Sequence, residues 1–441
     1  MSPTFRSLRN RNYRLYAAGG VVSNTGTWIQ RIAQDWLVLQ LHGGSQAHAS
    51  TSLGITTGLQ FLPVLLLSPY AGLIADRMPK RRLLQFTQSW MGAWSAVLAA
   101  LAISGVVEPW MVYAVAFAFG IGAAFDAPAR QAFVSEMVGP DDLTNAVGLN
   151  SASFNLARVV GPAAAGFLIA ALGGSIHAGH QPSGHALAAT GWVILINAVS
   201  YLGVIGALQL MREHDLVISP RAPREKGMVR EGFRYVRNRP DLMMILMAGF
   251  FAGTFGMNFQ MTSALMATQV FDKGSGQYGL LGTTLAIGSL TGALLGARRV
   301  AKPRPHYVIW AGIVFALVEV TLGLMPSYLT FAVLTPFLGL SLITMLNSAN
   351  TTVQLATAPT MRGRVMALYM MLVMGGTPIG APFIGWIGAT LGARWTLIGG
   401  GLLSLAGVLL AVALFRRLSG SPLLSRTGEA TEAITDSAMA A

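Results

Sequence analysis

Gly72-Leu-Ile-Ala-Asp76-Arg77-Met-Pro-Lys80-Arg81-Arg82 joins two apolar stretches, 50–75 and 83–106, and its reading decides the fold. Each flanking stretch has the roughly 20 residues that carry a helix across a bilayer core of about 30 Å. The junction is short and basic, as a turn at a membrane surface would be. Working outward, the same alternation predicts spans near 14–41, 109–127, 145–172 and 188–210. After a polar gap come 242–270, 277–299, 306–325, 328–355, 364–390 and 394–415. The expected fold is an all-α membrane protein of about twelve transmembrane helices in two pseudo-symmetric six-helix bundles.

Composition agrees. Hydrophobic residues make up 53% of the 441 and charged residues 11%, where soluble domains carry about a quarter charged residues. So little charge cannot cover a water-facing surface, and most of the surface must face acyl chains or other helices. The net charge of +13 does not point to nucleic acid. A DNA-binding face gathers Lys and Arg on a water-soluble module, whereas here they sit on every second connection. Cysteine is absent, which excludes disulfides and thiolate metal sites. Arg6, Arg9, Arg11 and Arg14 imitate the start of a secretory signal. The apolar stretch behind them outruns a signal core, so an uncleaved first span is expected.

Basic residues favour the cytoplasmic side. With the N-terminus inside, the inner segments hold Arg77, Lys80, Arg81, Arg82, Arg130, Arg298, Arg299, Lys302, Arg304, Arg362, Arg364, Arg416 and Arg417. The outer segments keep only Lys273 and Arg394. Both termini are therefore expected in the cytoplasm, with the chain in a bacterial inner membrane. The gap 211–241, with Pro220, Pro223 and basic residues from Arg212 to Arg239, reads as a cytoplasmic linker. Its Met228-to-Arg239 run can lie as an amphipathic helix against anionic lipid. It divides an N-terminal bundle, 1–210, from a C-terminal one, 242–415, followed by a disordered tail, 416–441. A weak repeat supports the division. Gln131 through Gly161-Pro162 to Leu172-Gly173 has a counterpart from Gln354 through Gly375, Gly376 and Pro378 to Leu391-Gly392.

Several polar residues fall inside the spans, where charge is costly and marks a cavity or a partner. On the first span Asn24, Trp28, Arg31 and Asp35 recur on one face, flanked by Gln30 and Gln34. Arg31 and Asp35, one turn apart, can form an ion pair. Burial and the arginine pull the proton affinity of Asp35 in opposite directions, which suits a proton-coupling carboxylate; a fixed structural pair is the plainer reading. Ser151, Asn155, Arg158 and Pro162 form a similar stripe on the fifth span. Glu319 is the one acid centred in a second-half span and a second proton-coupling candidate by its cost, with a structural or helix-interface role as the alternative. Asn258, Asn347, Asn350 and Gln354 are cavity candidates, with interhelical hydrogen bonding as the alternative. His177, His180 and His185 share a Gly/Ser/Pro-rich outer segment that reads as a solvated loop, so no metal site is expected. No Walker loop is present, so no ATP hydrolysis is expected.

The Gly72–Asp76–Arg77 spacing, followed by Lys80 and Arg81, resembles the loop signature of the major facilitator superfamily, with Pro79 where glycine is usual. That resemblance implies a cytoplasmic gating latch in which Asp76 meets a helix N-terminus of the opposite bundle. The equivalent second-half stretch, Gly292-Ala-Leu-Leu-Gly296-Ala-Arg298-Arg299, lacks the acid, so the latch is expected on one side only. The superfamily also implies that Asp126 pairs with Arg77 or Arg81; an acid satisfied by water is the alternative. Gly148, Gly161, Pro162 and Gly166 are similar to the antiporter motif of superfamily exporters, with Ala157 and Ala165 replacing two of its glycines. Phe5 to Tyr13, Pro128-Ala-Arg130, Asn155-Leu-Ala-Arg158, Asn197-Ala-Val-Ser-Tyr201, Glu231-Gly-Phe-Arg-Tyr235 and Arg362-Gly-Arg364 resemble the bacterial drug-exporting branch, which includes macrolide-efflux and siderophore (enterobactin) exporters. The expected function is proton-coupled export of a drug-like or secondary-metabolite molecule by alternating access, with no enzymatic activity and no cofactor. Expected partners are the small-molecule substrate, protons and membrane lipids, with no nucleic acid, and the chain a monomer. A siderophore-specific exporter, an uptake symporter and a membrane sensor or scaffold stay open as alternatives.

Overall fold

The computed structural model describes residues 3–42, 45–174, 183–217, 228–297, 305–358 and 361–419, and no strand occurs among them. The first six long helices are α1 (Arg11–Leu41), α2 (Gln46–Arg77), α3 (Lys80–Ser104), α4 (Pro109–Met137), α5 (Pro140–Ala171) and α6 (Gly184–Gln209). A short helix, α7 (Met228–Arg237), precedes α8 (Pro240–Phe251), α9 (Phe259–Leu265), α10 (Ser275–Ala297) and α11 (Pro305–Leu324). The chain ends in α12 (Tyr328–Ala356), α13 (Arg362–Gly375), α14 (Thr377–Leu391) and α15 (Ala393–Ser419). Local chemistry sets the starts: Ser45, Ser183 and Ser327 cap α2, α6 and α12, and proline opens α4, α5 and α8.

Two π-helical turns, Ala252–Gly256 and Met266–Val270, run α8 and α9 into one span, Pro240–Val270, and α13 and α14 form another, Arg362–Leu391. Eleven helical segments among the described residues are long and apolar enough to cross a membrane. Although α1 is 31 residues long, it is not one of them. Asn24, Gln30, Arg31, Gln34 and Asp35 dilute its apolar content, and its place in the bundle rests on partners for those groups.

The two bundles repeat one packing scheme. In the first, α1 lies on α5 and α6, α3 on α4 and α6, and α2 on α4. In the second, α8 lies on α13 and α15, α11 on α12 and α15, and α10 on α12. The bundles meet where α2 crosses α14 and α5 crosses α10. One side of the molecule gathers the helix ends near Lys80, Glu136, Arg212 and Arg364, and is called the basic side below. The expected linker helix is present there as α7. Its Glu231 pairs with Arg364 at the start of α13, and Arg239 beyond it makes two hydrogen bonds to Asp241 at 2.8–3.0 Å. Pro220, Pro223, Arg298, Arg299, Lys302, Arg304 and the tail from 420 onward lie outside the described residues.

Near mid-span α2 touches α13, where a Cβ on Gly375 would fall 2.5 Å from Leu65, and the main contact between the bundles lies in the half away from the basic side. There the Thr283 hydroxyl donates to the Val159 carbonyl (2.7 Å), Ser275 to that of Gly166 (3.1 Å), and Gln269 to that of Gln46 (3.2 Å). Gly148, Ala152, Val159, Pro162 and Gly166 share one face of α5. Its upper part touches α10, while Gly148 and Ala152 toward the basic side are exposed. A closed seam therefore gives way to a cleft that opens on the basic side.

Candidate functional site

The α1 stripe lies at the junction of seam and cleft. Arg31 is held between two rings, its guanidinium carbon 5.1 Å from the Trp28 centroid and 5.3 Å from that of Phe61 on α2. Asp35 is 8% exposed and accepts a 3.0 Å hydrogen bond from the Tyr278 hydroxyl of α10. Trp36 stacks on the same tyrosine, centroids 6.2 Å apart. The expected Arg31–Asp35 ion pair is thus replaced: the arginine is taken up by aromatic faces, and the acid turns across the seam to a donor in the other bundle. Gln34 approaches Gln60 only to 3.5 Å, at the limit of a hydrogen bond. Gln30 instead anchors α1 to α3 and α6, accepting from Ser95 (2.6 Å) and from Asn197. Asn24 is half-buried.

On α5 the positions Phe154, Arg158 and Gly161 face α1. Phe154 meets Trp28 edge to face at 6.0 Å, and a Cβ on Gly161 would fall 2.5 Å from that of Trp28. Arg158 lies between them, half-exposed, and has no ion-pair partner among the described residues. The Asn155 amide turns back to the Ser151 carbonyl, 2.8 Å away. Pro162 and Gly166 pack on α10, with Gly166 against Gly279. The antiporter-like residues are therefore divided in space. Three sit at helix crossings, while Gly148 has open space around it and joins no seam.

In the second bundle Asn347 is exposed and Asn350 half-buried on α12, and Asn350 accepts from Gln354 at 2.5 Å. Asn258 is buried, its amide donating to the Thr254 carbonyl (2.9 Å) where the first π turn ends. Glu319 is 1% exposed inside the second bundle. Cβ atoms on Gly256 and Gly400 would lie 3.0 Å and 3.2 Å from its two oxygens, and one of those oxygens has no hydrogen-bond partner among the described residues.

The loop signature splits as well. Gly72 and Arg77 lie in the last turns of α2, with Arg77 exposed; the side chain of Asp76 lies outside what the structure describes. Lys80 is buried against Glu136 of α4 at 2.5 Å. Arg81 donates to the Leu208 (2.6 Å) and Gln209 (3.0 Å) carbonyls, satisfying the C-terminus of α6 where a cation is favoured. Asp126 pairs with Arg130 at 3.0 Å and accepts from Thr87 (2.9 Å) and Gln88 (2.6 Å), not from Arg77 or Arg81 as the resemblance implied. The physical reason is local: Arg130 stands one helical turn away, while Arg81 is committed to α6. His177 and His180 lie outside the described residues, and no metal-binding group of side chains occurs among the described ones. Tyr278, Phe61, Glu136 and Ser95 were not singled out from sequence, nor was the node that joins Ser95 to Gln30 and Asn197. Their roles depend on contacts between distant segments, and only the Asp126–Arg130 spacing of four was there to be read.

Two bundles with matching packing, a seam closed on one side and a cleft on the other define a membrane transporter of the major facilitator plan. The chain belongs to the transmembrane secretion effector family, whose model matches residues 2–422, and it is a multi-pass protein of the bacterial cell membrane. It is 28% identical over 272 residues to the staphyloferrin A transporter of Staphylococcus aureus, an alignment covering 61% of this chain and 63% of that protein. With the multidrug efflux pump Tap of Mycolicibacterium fortuitum it shares 27% identity over 90% of this chain and 93% of the relative. The solved structure of a D-xylose-proton symporter superposes with a TM-score of 0.67 at 13% identity, over 91% of this chain and 96% of that one.

Proposed function

We propose that the protein exports a small molecule by alternating access, coupled to proton entry, with residues 1–210 and 242–415 as the two moving bodies. The carrying observation is the position of Asp35, enclosed within the closed seam and bonded to Tyr278 of the other bundle. The excess of basic residues supports a cytoplasmic basic side, with the cleft facing inward and the seam outward. Burying a carboxylate costs far less when it is neutral. Proton uptake by Asp35 from outside therefore lets the outer seam close around it, and release toward the cleft returns the charge. Glu319 is enclosed by glycines of its own bundle, and a role in helix packing fits it better than coupling. The drug-pump and siderophore-transporter relatives support a drug-like or secondary-metabolite cargo.

The test is accumulation of a panel of macrolides, dyes and siderophores in a host stripped of its own exporters, with and without the protein. Lower accumulation of at least one compound, abolished by a protonophore, is expected. Asp35→Asn should remain in the membrane and lose the proton-driven part. No difference across the panel would remove the transport reading, and unchanged proton movement with Asp35→Asn would remove Asp35 from it.

A further inference from the structure

We propose that the cleft is an anion site, and that the cargo carries a carboxylate or comparable anionic group held by Arg31 and Arg158 beside an aromatic wall. The proposal rests on the transport reading and adds to it the chemical class of the cargo.

Both guanidiniums lie deep in the spans, where an uncompensated charge is expensive and persists only for a purpose. Asp35, one turn from Arg31, offsets part of its charge, but the hydrogen bonds of the nearby acids are made elsewhere. Asp35 is bonded to Tyr278 across the seam, Asp126 to Arg130, and Glu136 to Lys80. With every one of these groups ionised, Arg31, Arg158 and Asp35 together still leave an excess of positive charge.

Geometry puts the two arginines around one ring. Arg31 lies over the face of Trp28, and Phe154 and Gly161, which flank Arg158 along the same face of α5, both pack against Trp28. The ring faces of Trp28 and Phe61 fix the plane of the Arg31 guanidinium without using its N–H donors, so the fork stays available to a bidentate acceptor. Phe154 is 45% exposed and supplies an apolar surface beside them. Two cations whose donors have no acceptor among the described residues, beside an aromatic wall, fit an aromatic or amphiphilic anion. They repel an organic cation.

The experiment uses the full chain purified in detergent, with fluorescein as the anionic aromatic probe and ethidium as the cationic one, each titrated by fluorescence anisotropy. Fluorescein should bind at least ~10-fold tighter than ethidium. Arg158→Gln should weaken fluorescein by ~10-fold or more, the equivalent of one charge-assisted hydrogen bond, while Arg158→Lys, which keeps the charge, retains most of the affinity and controls for folding. Quenching of Trp28, isolated as the difference from Trp28→Phe, should be stronger with iodide than with caesium, and Arg158→Gln should reduce that contrast. Absence of fluorescein binding, ethidium binding as tight or tighter, insensitivity to Arg158→Gln or equal quenching by the two ions overturns the proposal. None of these readouts needs a gradient. Failure of export with intact fluorescein binding would therefore count against the transport reading alone.

Discussion

Tyr278 ties the closed seam together through two different groups. It is fully buried, stacks on Trp36 and donates to Asp35, so it touches α1 through both its ring and its hydroxyl. Hydrogen bonds to charged groups contribute about 1.5–3 kcal/mol. Tyr278→Phe removes that bond and keeps the ring, and should move the equilibrium toward an open outer side by ~10-fold or more. The chain has no cysteine, so a single probe reports cleanly. In a Ser275→Cys background, labelling by a membrane-impermeant maleimide should be slow with Tyr278 present and at least ~10-fold faster with Tyr278→Phe. Equal rates would show that the bond contributes nothing to closure. At this scale the sequence was only partly legible. The intramembrane charges of Arg31, Asp35 and Arg158 announce themselves by their cost, but their partners come from segments far along the chain. Tyr278, one more aromatic in an apolar run, carries no local mark of its function.

At the scale of elements, α5 shows how one motif divides between two environments. Gly166 and Gly279 bring α5 and α10 into near backbone contact, where added volume forces the helices apart at a cost of about 1–3 kcal/mol. Gly279→Val should therefore lower transport by ~5-fold or more while the protein still reaches the membrane. Gly148 has open space around it, and Gly148→Ala should leave transport within about twofold and stabilise the helix by ~0.5–1 kcal/mol. Transport lost equally in both variants would mean that the motif acts through helix bending and not through the seam. Helix existence was easy to read because each span is a long apolar run between basic turns. The π turns of the α8–α9 span were not, since Ala252–Gly256 looks like any small-residue stretch until α13 packs against it. The polar α1 was legible as a span because the apolar stretch behind Arg14 outruns a signal core.

For the whole molecule, the two-bundle plan makes the outer seam a place where a single covalent link should arrest the cycle. An anionic cargo would also leave a negative-inside cell with the membrane potential, about 2.3 kcal/mol per charge per 100 mV, so opening the outer side and not the final release would be the step most exposed to such a link. Ser50 of α2 faces Gly388 of α14, and a Cβ on the glycine would lie 3.1 Å from that of the serine. Slight relaxation brings the pair into the 3.5–4.5 Å range of a disulfide. In the natural absence of cysteine, Ser50→Cys with Gly388→Cys introduces only that bond. Under oxidation the double variant should hold the seam shut, and cargo accumulation should rise to the level of cells without the protein. A reductant should restore export, and each single variant should be indifferent to oxidant. Full export by the oxidised, cross-linked protein would mean that the α2–α14 crossing never separates, and the two bundles would then have to move about some other line than this seam.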